Sequence, residues 1–450
     1  MVIILQAKTA QKTDKLRFSA LIRFYLPLTL TSILTLTTHS LFNAGLARLP
    51  SPEVYISAFA VAKSFMHVLE SPIMMVRQTV SALVDDFQSY QRVRGFIIGL
   101  VGLIVLVFTF LVLSGTAKWI IRHAMGLSGE TLAATNIILH VFIIFPVAAA
   151  VRNFLQGLLI KCQATPLLTA ATVFRIVYVS ILVVSVPRLS FIHPGILAGL
   201  LFLTAISIEL VFLFVGARFV IGHFGQWFMV NNVGAKQGQS EVTSATIMRF
   251  FVPLIVTAFI KTLAMPIINM GLARTERPEL ALATYAVAWG LGMIVVSPLM
   301  MFHQVPLNFI DEGDPHTLWI VRRFAIFLGL GLSGAFLLLS FTNLGYTILT
   351  SVIGASEQMG ILAMDVLKLM ALLPLLMVSR EFYWGLLMKR RMTKHLGAGK
   401  MVNVVTLTIT ILTVAIVGPS NPAITGIIGM IVAELCEVLY LGWSAFQPDA

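Results

Sequence analysis

Charge is what this 450-residue sequence has least of: Asp, Glu, Lys and Arg make up 11% of it, against 58% hydrophobic residues. Soluble domains carry about 25% charged and roughly 45–50% apolar residues. With a mean hydropathy of +0.94, the shortage excludes a soluble enzyme, a secreted disulfide scaffold and a nucleic-acid-binding module. The apolar runs are continuous and not alternating, which excludes a β-barrel as well. Cysteine is nearly missing, and Cys162 and Cys436 lie far apart in apolar segments, as core thiols and not as a disulfide or metal pair. The sequence also lacks H-E-x-x-H, G-x-S-x-G, a Walker-type loop and any Cys/His cluster with zinc spacing. The expectation is a non-enzyme with no metal and no cofactor. Without a nucleotide-binding loop, transport would draw on a substrate gradient or on a coupling ion, H+ or Na+. Acidic residues are the scarcer sign, 19 against 31 basic ones, for a net charge of +12. That excess reads as the positive-inside bias of cytoplasmic loops and not as a nucleic-acid surface. No cleavable signal peptide is visible, because the Met1–Leu5 run is too short and Lys8, Lys12 and Lys15 follow it.

What is present is a duplication. Arg23-Phe24-Tyr25-Leu26-Pro27-Leu28 recurs as Arg249-Phe250-Phe251-Val252-Pro253-Leu254, an offset of 226. The same offset carries Asn43-Ala44-Gly45-Leu46-Ala47-Arg48 to Asn269-Met270-Gly271-Leu272-Ala273-Arg274, Pro52-Glu53 to Pro278-Glu279, and Ala60-Val61-Ala62 to Ala286-Val287-Ala288. It also relates Ser71-Pro72 to Ser297-Pro298 and Asp85 to Asp311. Residues 23–86 align with 249–312 at 21 of 64 identities without a gap. Later the offset is 228: Pro146 matches Pro374, Arg152 matches Arg380, Gly157-Leu158-Leu159-Ile160-Lys161 matches Gly385-Leu386-Leu387-Met388-Lys389, and Glu209 matches Glu437. Such a repeat is one structural unit used twice.

A span of roughly 30 Å of hydrocarbon takes about 20 residues. Six apolar stretches fall in each half: 24–47, 54–84, 95–115, 132–160, 168–187 and 195–217, then 250–273, 280–310, 324–343, 361–388, 400–418 and 423–444. An even number brings both halves in from the same side, so they are parallel repeats about an axis along the membrane normal. The expected architecture is an all-α polytopic membrane protein of 12 transmembrane helices in two six-helix lobes. Residues 1–22 form a cytoplasmic segment, 23–217 the N-lobe, 218–248 a cytoplasmic linker, 249–444 the C-lobe and 445–450 a short tail. Lys8, Lys12, Lys15, Arg17 and Arg23, then Arg92, Arg94 and Lys161, then Arg322, Arg323, Lys389, Arg390, Arg391, Lys394 and Lys400 all fall on the side of the termini. That side is expected to be the cytoplasm, with the chain in the plasma membrane.

Twelve helices in parallel six-helix lobes look like the multidrug/oligosaccharidyl-lipid/polysaccharide (MOP) exporter superfamily, MATE-like in arrangement. The Arg23–Leu28 motif, Pro266-Ile267-Ile268-Asn269 and Gly385-Leu386-Leu387-Met388-Lys389 together resemble the progressive ankylosis protein (ANK) family, a branch of that superfamily. The resemblance covers most of the chain and implies a multipass exporter of small anions; pyrophosphate, ATP and citrate are associated with the family. This chain ends soon after its twelfth span, without the family's long charged tail.

Ionisable groups within the hydrocarbon layer are costly and mark candidate functional positions. In the second span Lys63, His67, Glu70, Met74 and Arg77 recur at i, i+4, i+7, i+11 and i+14, on one helical stripe. Their duplicates are Trp289, Met293, Val296, Met300 and His303. Two readings fit: a stripe lining a cavity, or helix-stabilising pairs such as His67 with Glu70. The first span adds Thr31, Ser32, Thr35, Thr38, His39 and Asn43, either as back-bonded hydroxyls or as a wet path. Lys261, at the place of Thr35 and near Pro266, is an anion contact or a partner for a carboxylate of its own lobe. Arg152, Arg175 and Glu209 share a depth of roughly 13 Å and are expected as a lobe-internal network, kept as Arg380 and Glu437 in the second copy with Asn403 for Arg175. Asp365, Lys368, Glu381 and Glu434 have no charged counterpart in the first copy, and Asp365 and Lys368 are spaced to pair. The ion-coupling candidates are Glu70 first and Asp365 second. Substrate-cavity candidates are Lys63, His67, Arg77, Asn43, Lys261 and His303.

The expectation is a secondary active exporter working by alternating access on a small organic or phosphorylated anion. A proton- or sodium-coupled multidrug antiporter, a flippase for an anionic lipid-linked precursor, and a membrane scaffold or embedded transferase stay open beside it. Partners are membrane lipid and a small anionic substrate, with no nucleic acid, and the chain is expected to be a monomer.

Overall fold

The computed structural model describes residues 18–84, 86–162, 164–189, 191–220, 222, 243–310, 314–390, 392 and 394–446. The expected segment 1–22 up to residue 17, most of the 218–248 linker, the tail beyond 446, Arg391 and the Asp85/Asp311 match lie outside them. So do the side chains of Thr31, Ser32, Thr35 and His39.

Among the described residues there is no strand, and the helices group into twelve spans. In the first lobe these are α1 (Phe18–Leu46), α2 (Pro52–Met74 continued by Val76–Leu83), α3 (Phe87–Leu113), α4 (Gly129–Phe142 with Phe145–Lys161), α5 (Thr165–Ser185) and α6 (Pro194–Val220). In the second they are α7 (Ser244–Thr262 with Ala264–Leu272), α8 (Pro278–Val296, a 3-10 turn Ser297–Met301, then Gln304–Phe309), α9 (Pro315–Phe341), α10 (Glu357–Met370 with Leu373–Lys389), α11 (Lys394–Val417) and α12 (Ile424–Ala445). Nine of these stretches are long and apolar enough to cross a membrane as single helices, and α4 and α10 do so as bent pairs. At 29 residues, α1 has the length to cross too, at 1.5 Å per residue. The chain is an integral multi-pass membrane protein.

Most boundaries agree with the apolar stretches, but α3 and α9 start earlier, at Phe87 and Pro315. Polar first turns there are held by caps at equivalent positions. Ser89 N donates to Asp86 Oδ1 at 2.7 Å, and His316 N donates to Asp314 Oδ1 at 2.9 Å, each satisfying a first-turn amide. A short helix, Thr116–His123, follows α3, and another, Asn343–Thr347, follows α9; neither is long enough to register as a span.

The duplicated prolines break helices in matching places. α4 bends by 47° just before Pro146, and α10 by 42° just before Pro374. In α2, Pro72 cannot donate to the Val68 carbonyl, and the Ser71 hydroxyl takes it at 2.9 Å. Ser297 does the same for Ile294, at 2.7 Å, beside Pro298. Each repeated Ser-Pro thus carries its own compensation for the lost backbone bond.

Packing repeats as well: α1 lies on α5 as α7 lies on α11, and α2 lies on α4 as α8 lies on α10. Between lobes, α1 and α2 face α7 and α8. α8 is the most enclosed span, 72% of its core window buried, whereas α3 and α11 are 22% and 17% buried and expose rows such as Leu103, Leu106, Phe110 and Ile409, Ile416. The central four helices therefore sit behind a lipid-facing shell.

The glycine of each repeated Gly-Leu-Leu-x-Lys motif explains how α4 and α10 reach those central helices. A Cβ on Gly157 would stand 2.8 Å from the Arg77 carbonyl, and one on Gly385 would stand 2.5 Å from the His303 carbonyl. Arg77 and His303 are themselves duplicates. Close backbone approach through small residues is how helices associate in lipid, where the hydrophobic effect supplies no drive between them.

Candidate functional site

The two lobes meet through reciprocal bonds. Asn43 of α1 donates Nδ2 to the Ala286 carbonyl of α8 at 2.9 Å. Its duplicate, Asn269 of α7, donates to the Ala60 carbonyl of α2 at 3.2 Å and to Ser64 Oγ at 3.0 Å. Ala60 and Ala286 are duplicates, so one two-fold relation generates both contacts. Gly290, the duplicate of Ser64, leaves the room Asn43 needs: a Cβ there would lie 2.9 Å from its Nδ2. Toward the other end of α1 the lobes touch through rings. Tyr25 donates to the Pro298 carbonyl and meets Phe324 edge-on at 5.7 Å; the duplicates Phe251 and Phe96 meet at 5.3 Å.

Between these contacts lie three adjoining cavities. The central one, of about 310 Å³, is lined by Asn43, Phe59, Lys63, Ser64, His67, Lys261, Trp289 and Met293 among others. Lys63 Nζ lies 5.4 Å over the Phe202 ring. Lys261 stands just before the break of α7 at Leu263, one turn ahead of Pro266, and its Nζ lies 4.9 Å over the Trp384 ring. It makes no ion pair among the described residues.

A second cavity, of about 260 Å³, opens into the first lobe past His67 and holds Glu70, Arg77, Arg152, Arg175, Asn153 and Gln156. Glu209 of α6 stands behind it, 2.5 Å from Arg175 and 3.5 Å from Arg152, and accepts from Gln156 at 3.0 Å. Arg175 also reaches Thr38 of α1 at 3.5 Å. Glu70 is 4% exposed, and its Oε2 has no hydrogen-bond partner.

The third cavity, of about 280 Å³, is the second-lobe counterpart and shares Lys261, Trp289 and Met293 with the central one. Arg380 holds Glu434 with both oxygens at 2.6 Å and Glu381 at 2.9 Å. His303 Nδ1 lies 2.7 Å from Glu381 Oε2. Lys400 pairs with Glu437 at 2.7 Å, and Trp384 Nε1 donates to the same carboxylate at 3.3 Å.

The structure therefore spreads the α2 stripe over two adjoining cavities, Lys63 and His67 on the central one with Asn43 and Lys261, and His67, Glu70 and Arg77 on the first-lobe one, with His303 in the second-lobe cavity. It also joins Arg152, Arg175 and Glu209, and these arginines line the first-lobe cavity as well. The second copy is wired differently: Arg380 turns to Glu434 and Glu381, and Glu437 belongs to Lys400. Asp365 stays out of all three cavities, pairing with Lys368 at 2.9 Å with both side chains more than two-fifths exposed. Lys400 is not in the α10–α11 connection but inside α11, its side chain 13% exposed. The signal for it was the exchange of Arg175 for Asn403. Where Glu209 has Arg175, Glu437 has no guanidinium at the matching position, and a lysine one turn earlier supplies the charge. Trp289 and Trp384, which flank Lys261, carried no motif that would single them out.

Residues 235–446 match the family model of progressive ankylosis protein (ANKH). Among solved structures, the chain is similar to an inward-facing multidrug resistance MATE family transporter of the MOP superfamily, at 15% identity, TM-score 0.70, over 94% of this chain and 97% of that one. It is similar to the lipid II flippase MurJ in an inward closed conformation, at 13% identity and TM-score 0.66, over 93% and 87%. A MOP superfamily transporter from Pyrococcus furiosus, for which reverse polarity of the binding pocket suggests a different function, matches at 15% identity and TM-score 0.54, over 96% and 98%. The chain is thus a multi-pass membrane protein with the two-lobed fold of the MATE and MurJ transporters, and it resembles the progressive ankylosis protein family through its second lobe.

Proposed function

We propose that the chain is a secondary active membrane transporter that carries a small organic or phosphorylated anion out of the cell by alternating access of its two lobes. The observation that carries this reading is the charge of the enclosed space. Seven basic side chains line the three cavities (Lys63, Arg77, Arg152, Arg175, Lys261, Arg380 and Lys400) against three carboxylates, Glu70, Glu381 and Glu434. Charges in a membrane interior are kept where they pair or contact a solute; with Glu209 and Glu437 behind the walls counted too, seven bases face five carboxylates. The fold supports the rest: parallel lobes around a shared cavity are suited to rocking about it. Lys161, Arg322, Arg323, Lys389 and Arg390, at the span ends on the side where the termini emerge, support a cytoplasmic placement of both termini in the plasma membrane. One chain supplies both lobes, which supports a monomer.

Purified protein in liposomes tests this with citrate, pyrophosphate and ATP beside a cationic dye, with proton and sodium gradients imposed in parallel. Anion flux is expected, and Lys261→Ala is expected to reduce it. Gradient-driven dye flux without anion flux would make the chain a multidrug antiporter. Scrambling of an anionic lipid alone would make it a flippase. No flux of any kind would overturn the transport reading.

A further inference from the structure

The duplicated cavities differ in a way that packing symmetry does not require. In the second lobe, among the described residues, Arg380 is answered by Glu434 and Glu381, Lys400 by Glu437 and His303 by Glu381, and Lys261 at the border with the central cavity is the base without an ion pair. In the first lobe three guanidinium groups, Arg77, Arg152 and Arg175, line one cavity and have the single ion-paired carboxylate Glu209 between them. Arg77 makes no ion pair or hydrogen bond among the described residues. The Nε groups of Arg152 and Arg175, like that of Arg380, are buried with no acceptor, so the lobes differ in Arg77 and in the number of carboxylates per guanidinium group. An Arg site unsaturated in this way, out of water, is complementary to a carboxylate or phosphoryl group, which accepts two or more charge-assisted bonds.

The same wall carries one more carboxylate. Glu70 is buried, lines the cavity and has an oxygen with no hydrogen-bond partner. The charged and titratable groups around it are Lys63, His67 and Arg77 of α2, Arg152 of α4, Arg175 of α5 and Glu209 of α6; α1 presents Thr38 and Phe42. Lys63 and Arg152 act on it electrostatically. Ionised, Glu70 is a tethered anion beside the bases an incoming anion would use. Protonated, it withdraws that competition and gains a hydrogen to donate.

We propose that the first-lobe cavity is the binding subsite for the anionic group of the transported solute, held by Arg77 and by Arg152, whose guanidinium Glu209 positions, and that the anion binds together with one proton on Glu70. The proposal rests on the anion-transport reading and assigns its site and its coupling. The second-lobe cavity, where Arg380, Lys400 and His303 each have a carboxylate, serves as a structural counterpart.

Isothermal titration calorimetry of the detergent-solubilised full chain tests it with citrate and with sulfate, whose charge does not change between pH 6 and 8. Buffers of different ionisation enthalpy report protons taken up. One site is expected, weaker at pH 8 than at pH 6, with about one proton absorbed per anion bound. Arg77→Gln should weaken binding about ten- to hundredfold, the worth of a charge-assisted bond, with Arg77→Lys intermediate and the thermal midpoint of both near wild type. Glu70→Gln should bind at pH 8 as wild type does at pH 6, with no proton uptake. Unchanged affinity in Arg77→Gln with loss in Lys261→Gln would move the anion to the central cavity and overturn the subsite while anion transport stood. Proton uptake that survives Glu70→Gln and disappears in His67→Gln or Asp365→Asn would overturn the proton's assignment. No anion binding and no anion flux in wild type would overturn both this proposal and the transport reading beneath it.

Discussion

The reciprocal asparagine bonds make a sharp prediction about how the lobes are held. Asn43 and Asn269 are 9% and 2% exposed, and each spends its amide on the other lobe. A hydrogen bond between membrane helices is worth about 0.6 kcal/mol on average and up to roughly 1.7. Asn43→Ala removes one such bond and Asn269→Ala two. The single variants should cost the clamped arrangement about 1 kcal/mol and about 1–2 kcal/mol, and the double variant about 2–3 kcal/mol. At 1.4 kcal/mol per factor of ten, the double variant shifts the equilibrium between lobe arrangements on the order of 30- to 100-fold. Spin labels at the exposed, nearly two-fold-related Glu130 and Glu357, in a chain with Cys162 and Cys436 replaced, would read it as a second, longer distance in the double variant. Gly290→Ala provides a control that leaves both asparagines in place. Its new Cβ would fall 2.9 Å from Asn43 Nδ2, so it should imitate Asn43→Ala. A single unchanged distance distribution in the double variant, with thermal stability reduced instead, would refute the clamp and leave the asparagines as ordinary packing groups.

Other expectations follow from single contacts. Gly157→Ala and Gly385→Ala each drive a methyl against a backbone carbonyl and should lower stability by about 1–3 kcal/mol, seen as a lower midpoint in detergent thermal unfolding. Lys400→Met leaves Glu437, fully buried, without its cation, a loss of about 3–5 kcal/mol. Asn403→Arg in the same chain should restore part of it, because it places a guanidinium where Arg175 faces Glu209 in the first lobe; no rescue in the same unfolding assay would deny that the two pairs are interchangeable. Burial pushes the half-buried Cys162 thiol, at the end of α4, up to about 11. Its maleimide labelling should therefore be slow at pH 7 and rise nearly tenfold per pH unit to pH 10, since the thiolate is the nucleophile; labelling that is fast at pH 7 would contradict the buried placement.

The duplication and the twelve spans were legible because hydrophobic length and repeated motifs are local properties. The kinks were legible for the same reason: a proline removes a bond wherever it stands. Partner choice was not. Arg380 and Glu437 repeat Arg152 and Glu209 in sequence, yet Arg380 turns to Glu434 and Glu381, because those carboxylates exist only in the second copy. Lys400 reads as a charge at the terminus-side end of a span because the apolar run opens at its position, while the helix begins at Lys394. The repeated asparagines were visible, but that each crosses to the other lobe depends on how α1 and α7 lie against α8 and α2, which no local pattern encodes.

The division between what both copies kept and what one copy dropped separates two jobs. The Ser-Pro breaks, the close-contact glycines, the crossing asparagines and the Tyr25–Phe324 and Phe251–Phe96 ring pairs occur twice, and each holds or shapes a contact between helices. A motion of one lobe against the other uses both sides of such contacts alike, so losing one copy would unbalance it. The stripe Lys63, His67, Glu70 and Arg77 faces Trp289, Met293, Val296 and His303 in the second copy, and Arg175 faces Asn403. A group bound on one side of the axis has no use for its mirror image. A second set of arginines short of carboxylates would cost the energy of buried charge with no ligand to offset it. In the second cavity Glu381 and Glu434 answer Arg380, and Lys400 answers Glu437, as that cost would demand. Reversing the exchange is therefore informative: Glu434→Gln frees one face of Arg380 and recreates an unsatisfied guanidinium opposite the first. It should lower thermal stability by about 3–5 kcal/mol, and a saturating anion such as sulfate should recover part of the loss by binding the folded state. Recovery absent in Glu434→Gln would mean that an unpaired arginine in this fold does not suffice to attract an anion, and the asymmetry of the two cavities would need another cause.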